Sequence, residues 1–94
     1  MNEFDRKFNH LKALTEIVML DLVEKKIPNL QEVEKCVEIC EWLEEQDITK
    51  EDDSLAEILF KIKFNMTVTR EILKMREYLS KVVSSEKNKE TKNL

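Results

Sequence analysis

The chain has 94 residues, of which 38% are charged and 6% aromatic, a formal net charge of −4 and no glycine. A chain of this length makes one small domain that buries roughly 60–65% of its unfolded surface, so a partner would add substantially to its stability. Average glycine usage of ~7% would supply about six or seven. Without any, the P-loop, the dinucleotide fingerprint, the G-x-S-x-G elbow and most tight hairpins are excluded, because each needs positive φ or close backbone approach.

What remains is an all-α fold, a small antiparallel bundle of three helices joined by Asn, Asp and Thr turns. The first helix is expected from about Glu3 to Lys25, capped by Asn2. On a wheel of ~100° per residue, Phe4, Phe8, Leu11, Leu14, Thr15, Val18 and Leu22 share one face and form the core stripe. Ala13, Ile17, Leu20 and Ile27 make a second stripe on nearly the opposite side. Pro28 ends this helix, since it cannot donate to the ladder and biases Ile27 towards extended backbone.

The second helix begins after Asn29, with Glu32 placed to complete a capping box, and runs to about Gln46. Leu30, Val33, Cys36, Val37, Ile39, Cys40 and Leu43 occupy one half of its wheel. A turn is expected over Asp47–Asp53. Ser54 and Glu57 then read as the capping box of a long third helix extending to about Val83. Its weak point is Phe64–Thr69, where Asn65 and three β-branched residues lower helix propensity. A kink there is one reading, and a turn producing four helices is the other. Leu55, Ile58, Leu59, Ile62, Met66 and Leu73 lie on one side of this helix, and Phe60, Phe64, Val68, Met75, Leu79 and Val82 lie further round. The single domain is set at residues 1–84, followed by a polar tail over 85–94 expected to be disordered.

Cys36 and Cys40 are one helical turn apart and could in principle share a soft metal ion. Structural zinc needs four ligands, however, and the chain adds only His10, far away on another helix. A disulfide at this spacing within a helix is strained. Both cysteines sit at the centre of an apolar half-wheel, so they are read as small core residues with no metal or cofactor. Met19, Met66 and Met75 are read as core fillers in the same way. Two cysteines at helical spacing, with no disulfide framework, point to a reducing compartment and hence the cytoplasm. The longest apolar run, Ile17–Leu20, is far short of the ~20 residues of a membrane helix, and no signal-peptide pattern opens the chain.

Charge is segregated along the sequence. Asn29–Asp47 carries seven acids against one lysine, and Glu34, Glu38, Glu41 and Glu45 form a narrow stripe. Ser54–Ser85 carries six bases against three acids, with Lys63, Arg70, Lys74 and Lys81 in a stripe of their own. Each run suits a solvated face, and opposite charge helps the second and third helices find register. No three convergent catalytic groups occur, so no enzyme is expected.

Surplus apolar surface carries the functional expectation. The first and third helices each have two apolar stripes where a bundle needs one. The chain is therefore expected to be a non-enzymatic protein–protein interaction module, an adaptor, inhibitor or regulator, acting as a homodimer. Ala13, Ile17, Leu20 and Ile27 are the expected dimer contact. Trp42, Phe60 and Phe64, rimmed by Glu38, Glu41 and Glu45, are the expected partner site. The alternative is a small nucleic-acid-associated regulator of transcription or replication using Lys63, Arg70, Lys74 and Lys81. In general character the chain resembles small phage and bacterial accessory proteins, though no motif names a family.

Overall fold

The computed structural model describes residues 2–92, with side chains described for residues 2–85. Four helices follow in order: α1 (Glu3–Val23), α2 (Leu30–Glu44), α3 (Asp47–Lys50) and α4 (Asp53–Lys92). No strand occurs among the described residues. The molecule measures 65 × 23 × 20 Å. Its long dimension is set by α4, whose 40 residues at a rise of ~1.5 Å each span about 60 Å.

The helix starts follow from side-chain caps. Asn2 Oδ1 accepts from the Asp5 amide at 2.8 Å, and Asn29 Oδ1 accepts from the Gln31 and Glu32 amides at 2.8 and 3.4 Å. The expected cap of the long helix was Ser54, but Asp52 takes that role, accepting from the Leu55 amide at 3.1 Å. Aspartate caps as well as serine does, and its charge also suits the positive end of the helix, so α4 starts two residues earlier, at Asp53.

The helix ends are less orthodox. α1 closes with the Lys26 amide donating to Asp21 O at 2.7 Å and the Lys25 amide to Leu22 O at 3.2 Å, a Schellman arrangement. Lys25 therefore sits at φ 60°, a left-handed position that glycine usually fills. The Asn, Asp and Thr turns inferred from the glycine-free composition did not anticipate this lysine. The end of α2 is tied off by α3. Buried Thr49 donates from Oγ1 to Leu43 O at 2.7 Å, and Gln46 Nε2 donates to Trp42 O at 2.9 Å. The segment expected as a plain turn thus contains one helical turn, which satisfies the last carbonyls of α2.

α4 is continuous through Phe64–Thr69, so the reading with a turn there is overturned. Propensity is a weak force against packing, and Met66 in the middle of this segment is buried in the core. The Thr69 hydroxyl donates back to Asn65 O at 2.8 Å within the helix. The helix also runs past Ser84, where the domain boundary was placed, as far as Lys92. That stretch contains no glycine or proline to stop it. Residues 93–94 of the expected tail lie outside the described residues.

The core has α2 at its centre. Val33, Cys36, Val37, Ile39, Cys40 and Leu43 are buried between Leu11 and Val18 of α1 and Leu59, Met66 and Leu73 of α4. α2 packs extensively on both long helices, whereas α1 and α4 meet mainly through it. Lys63 and Lys74 of α4 pair with Glu44 and Glu34 respectively, so α2 and α4 are antiparallel. Lys7 lies over Trp42, and Thr15 lies beside Cys36, which makes α1 and α2 antiparallel as well.

Two substitutions check these end structures. Lys25→Gly should raise stability by about 1 kcal/mol in denaturant melts, by relieving the left-handed conformation. Thr49→Val should lower it by about 1 kcal/mol with helix content unchanged in the native state, because it removes the buried hydroxyl bond to the Leu43 carbonyl, which keeps only the Gln46 amide at 3.2 Å.

Candidate functional site

The surface that remains open is apolar and helical. On α1, Ala13 is exposed, with Ile17 and Leu20 beside it at 45% and 56% exposure. Ile27 was expected to extend this stripe, but α1 has ended before it. Ile27 instead lines a shallow hollow with Leu22, Pro28, Ile72 and Arg76, between the end of α1 and the middle of α4. Leu22, assigned to the core stripe, is 45% exposed, because only this open hollow separates it from α4 and α2 does not begin until Leu30.

On α4 the open face is longer. Phe60 and Phe64 are each 58% exposed, and their rings stack with centroids 6.4 Å apart. Val68, Ile72, Met75 and Leu79 continue along the helix, all exposed. Met19 and Met75, read as core fillers, belong to the surface; only Met66 is buried. Ile58, assigned to the core stripe of this helix, is exposed too.

The residues of the expected partner site have different neighbours. Trp42 is half-buried against the core, and the Lys7 ammonium lies 5.0 Å from its ring centroid. This cation–π contact comes from α1. Phe60 lines a hollow with Glu44, Thr49, Lys50 and Ala56 near α3. Trp42 and Phe60 therefore look towards different flanks of α2. The acidic rim residues Glu38, Glu41 and Glu45 are exposed, and Glu38 pairs with Lys35 at 3.4 Å.

Two members of the basic stripe pair with acids of α2. Lys63 Nζ lies 2.9 Å from Glu44, with both side chains only 28% exposed, and Lys74 Nζ lies 3.9 Å from Glu34. Arg70 Nε lies 3.4 Å from Glu71, and Lys81 lines an open hollow with Ile27, Pro28 and Leu30. The pairs joining α4 to α2 serve helix register, as segregated charge suggests.

Cys36 and Cys40 are free thiols, fully buried in the core. Burial raises the Cys36 thiol above its ordinary value, against a smaller lowering by the Thr15 hydroxyl beside it. Cys40 is pushed up to about 12, first by burial and then by Cys36 and Glu44. Thiols held neutral in this way are weak nucleophiles and poor ligands. Among the described residues, no group of three or more His, Cys, Asp or Glu side chains is arranged to hold a metal ion. An open hollow gathers Glu3, Arg6, Lys7 and His10, neighbours on the first turns of α1, and Lys7 is turned to the ring of Trp42. Among the described residues, no helix is long and apolar enough to cross a membrane.

No protein-family model, curated protein or solved structure matches this chain. Its surface is the guide to what it does.

The thiols give a pH prediction. Both are neutral below the ordinary value of 9.0 in the folded and unfolded chain alike, so their contribution to stability is complete there. Above that pH the unfolded chain ionises first, and stability should fall as pH rises towards the folded value of Cys40 at about 12. Denaturant melts between pH 8 and 11 should show a shallower fall for Cys36→Ala/Cys40→Ala than for the native chain. Thiol-specific reagents at pH 8 should label the native protein only as fast as it unfolds.

Proposed function

We propose that the chain is a non-enzymatic helical protein–protein interaction module that works as a homodimer, in the manner of an adaptor, inhibitor or regulator. One observation carries this reading. The face of α4 from Phe60 to Leu79 presents a continuous row of large apolar side chains that no helix of the same chain covers. Scattered apolar residues on a surface need no explanation, but a contiguous patch of this length marks an interaction site. The exposed stripe of Ile17 and Leu20 on α1 supplies a second, smaller one.

The acids on the outward side of α2 support the same reading. Glu41 and Glu45 are exposed and would steer a basic partner, adding to association rate more than to affinity. The nucleic-acid alternative draws on four bases, of which Lys63 and Lys74 already pair with acids of α2. Freeing them would break the contacts that align α2 with α4.

Light scattering on the full chain at micromolar concentration should give about twice the 11.2 kDa chain mass. A monomer across the concentration range would refute the homodimer. At moderate salt the protein should not retard DNA or RNA fragments in a mobility-shift assay, and retardation that survives there would favour the alternative.

A further inference from the structure

α4 has two apolar faces. Leu59, Met66 and Leu73 point into the bundle. Roughly 130–140° around the helix, Val68, Ile72, Met75, Leu79 and Val82 succeed one another at alternating spacings of four and three residues. This is the a/d repeat of a coiled coil, with Ile72 and Leu79 at a and the other three at d. Val82 is half-buried and the other four are exposed. The same rhythm on the core face of α4 (Leu55, Leu59, Ile62, Met66) is satisfied by packing on another helix, so this second row calls for a helix as well.

We infer that this seam is filled by α4 of a second copy of the chain, lying parallel and in register, so that the homodimer proposed above is held by a short two-stranded coiled coil.

The flanking positions choose this occupant and its direction. In the same repeat Glu71 falls at g and Arg76 at the following e. A parallel in-register pair sets Glu71 of each chain against Arg76 of the second copy, giving two matched ion pairs related by the dimer axis. Both side chains are exposed and available for this, Glu71 while also beside Arg70 of its own chain. An antiparallel pair would set Glu71 against Tyr78 and Arg76 against Thr69, with no charge matched. Asn65 occupies the a position one heptad before Ile72. A single polar a residue facing its own copy is a known device for setting register in parallel dimers.

Area is sufficient. Four of the five seam residues and the flanking Phe64 and Tyr78 at g are 43–68% exposed, and with Val82 they offer on average on the order of 100 Å² apiece. Two copies then bury roughly 1,400 Å² in total, within the ~1,200–2,000 Å² of stable interfaces. The buried core of α4 faces another side, and the end of α1 borders the seam only at the open hollow beside Ile72.

The test uses the full chain, with mass measured by analytical ultracentrifugation and folding followed by circular dichroism. Ile72→Glu and Leu79→Glu should each weaken the dimer about 100-fold or more, with helix content and melting of the monomer unit retained, since both sites are exposed in the single chain. Glu71→Arg and Arg76→Glu should each weaken it about 10-fold at low salt, and the double swap should restore it. A wild-type monomer would refute the homodimer itself. A dimer that tolerates Ile72→Glu and Leu79→Glu but is lost with Ile17→Glu would place the contact on α1, refuting this seam while leaving the homodimer standing. Loss in both single charge variants without rescue in the double swap would refute the parallel register.

Discussion

The shape of this protein follows from a mismatch of length. α2 has 15 residues, and it packs between a helix of 21 and a helix of 40. At ~1.5 Å per residue, α2 covers about 22 Å of its neighbours, while α4 continues for about 60 Å. Core formation is therefore confined to the zone that α2 reaches. Among the described residues, Leu73 is the last buried apolar residue of α4, close to where Lys74 meets Glu34 near the start of α2. At the same edge, Leu22 and Ile27 are exposed around a hollow beside Ile72 and Arg76. The exposed apolar surface results from that confinement.

Within the covered zone, packing is close because α2 presents small side chains where both neighbours converge. Cys36 lies beside Thr15 of α1, and Cys40 lies near enough to Lys63 of α4 to feel its charge. The ion pairs at the two ends of the α2–α4 contact add little energy in solvent. Their value lies in register, because sliding α4 by one turn would part Lys63 from Glu44 and Lys74 from Glu34 together. The better-buried pair carries a cost, since Glu44 Oε1 is buried without a hydrogen-bond partner while Oε2 meets Lys63.

A chain without glycine has to end its helices by other means. α1 accepts a lysine in left-handed conformation. α2 is closed by side chains from the next turn, Thr49 and Gln46, which bind its final carbonyls. α4 is not stopped at all between Asp53 and Lys92. That long, uninterrupted helix carries both the core face and the open seam, so the same absence of glycine that shapes the turns also supplies the surface on which the proposed function rests.

The sequence by itself determined the all-helical class, the caps at Asn2 and Asn29, the break at Pro28 and the burial of the two cysteines. These depend on interactions within a turn or two of helix, or on an apolar period that any packing partner would use. It also held the second apolar stripes of α1 and α4, visible as a period. Tertiary structure alone decided the rest. Whether Leu22, Met75 or Ile58 is core depends on where a neighbouring helix ends, which no local pattern records. Trp42 looked like a surface anchor by its angle on the wheel, and it is half-buried because it packs against the core, with Lys7 of α1 over its ring. The weak stretch at Phe64–Thr69 stays helical because burial of Met66 outweighs a few tenths of a kcal/mol of unfavourable propensity per residue. Thr49 carried no signal in the sequence, since a threonine in an acidic turn becomes a helix-closing donor only when the chain folds it back onto the Leu43 carbonyl.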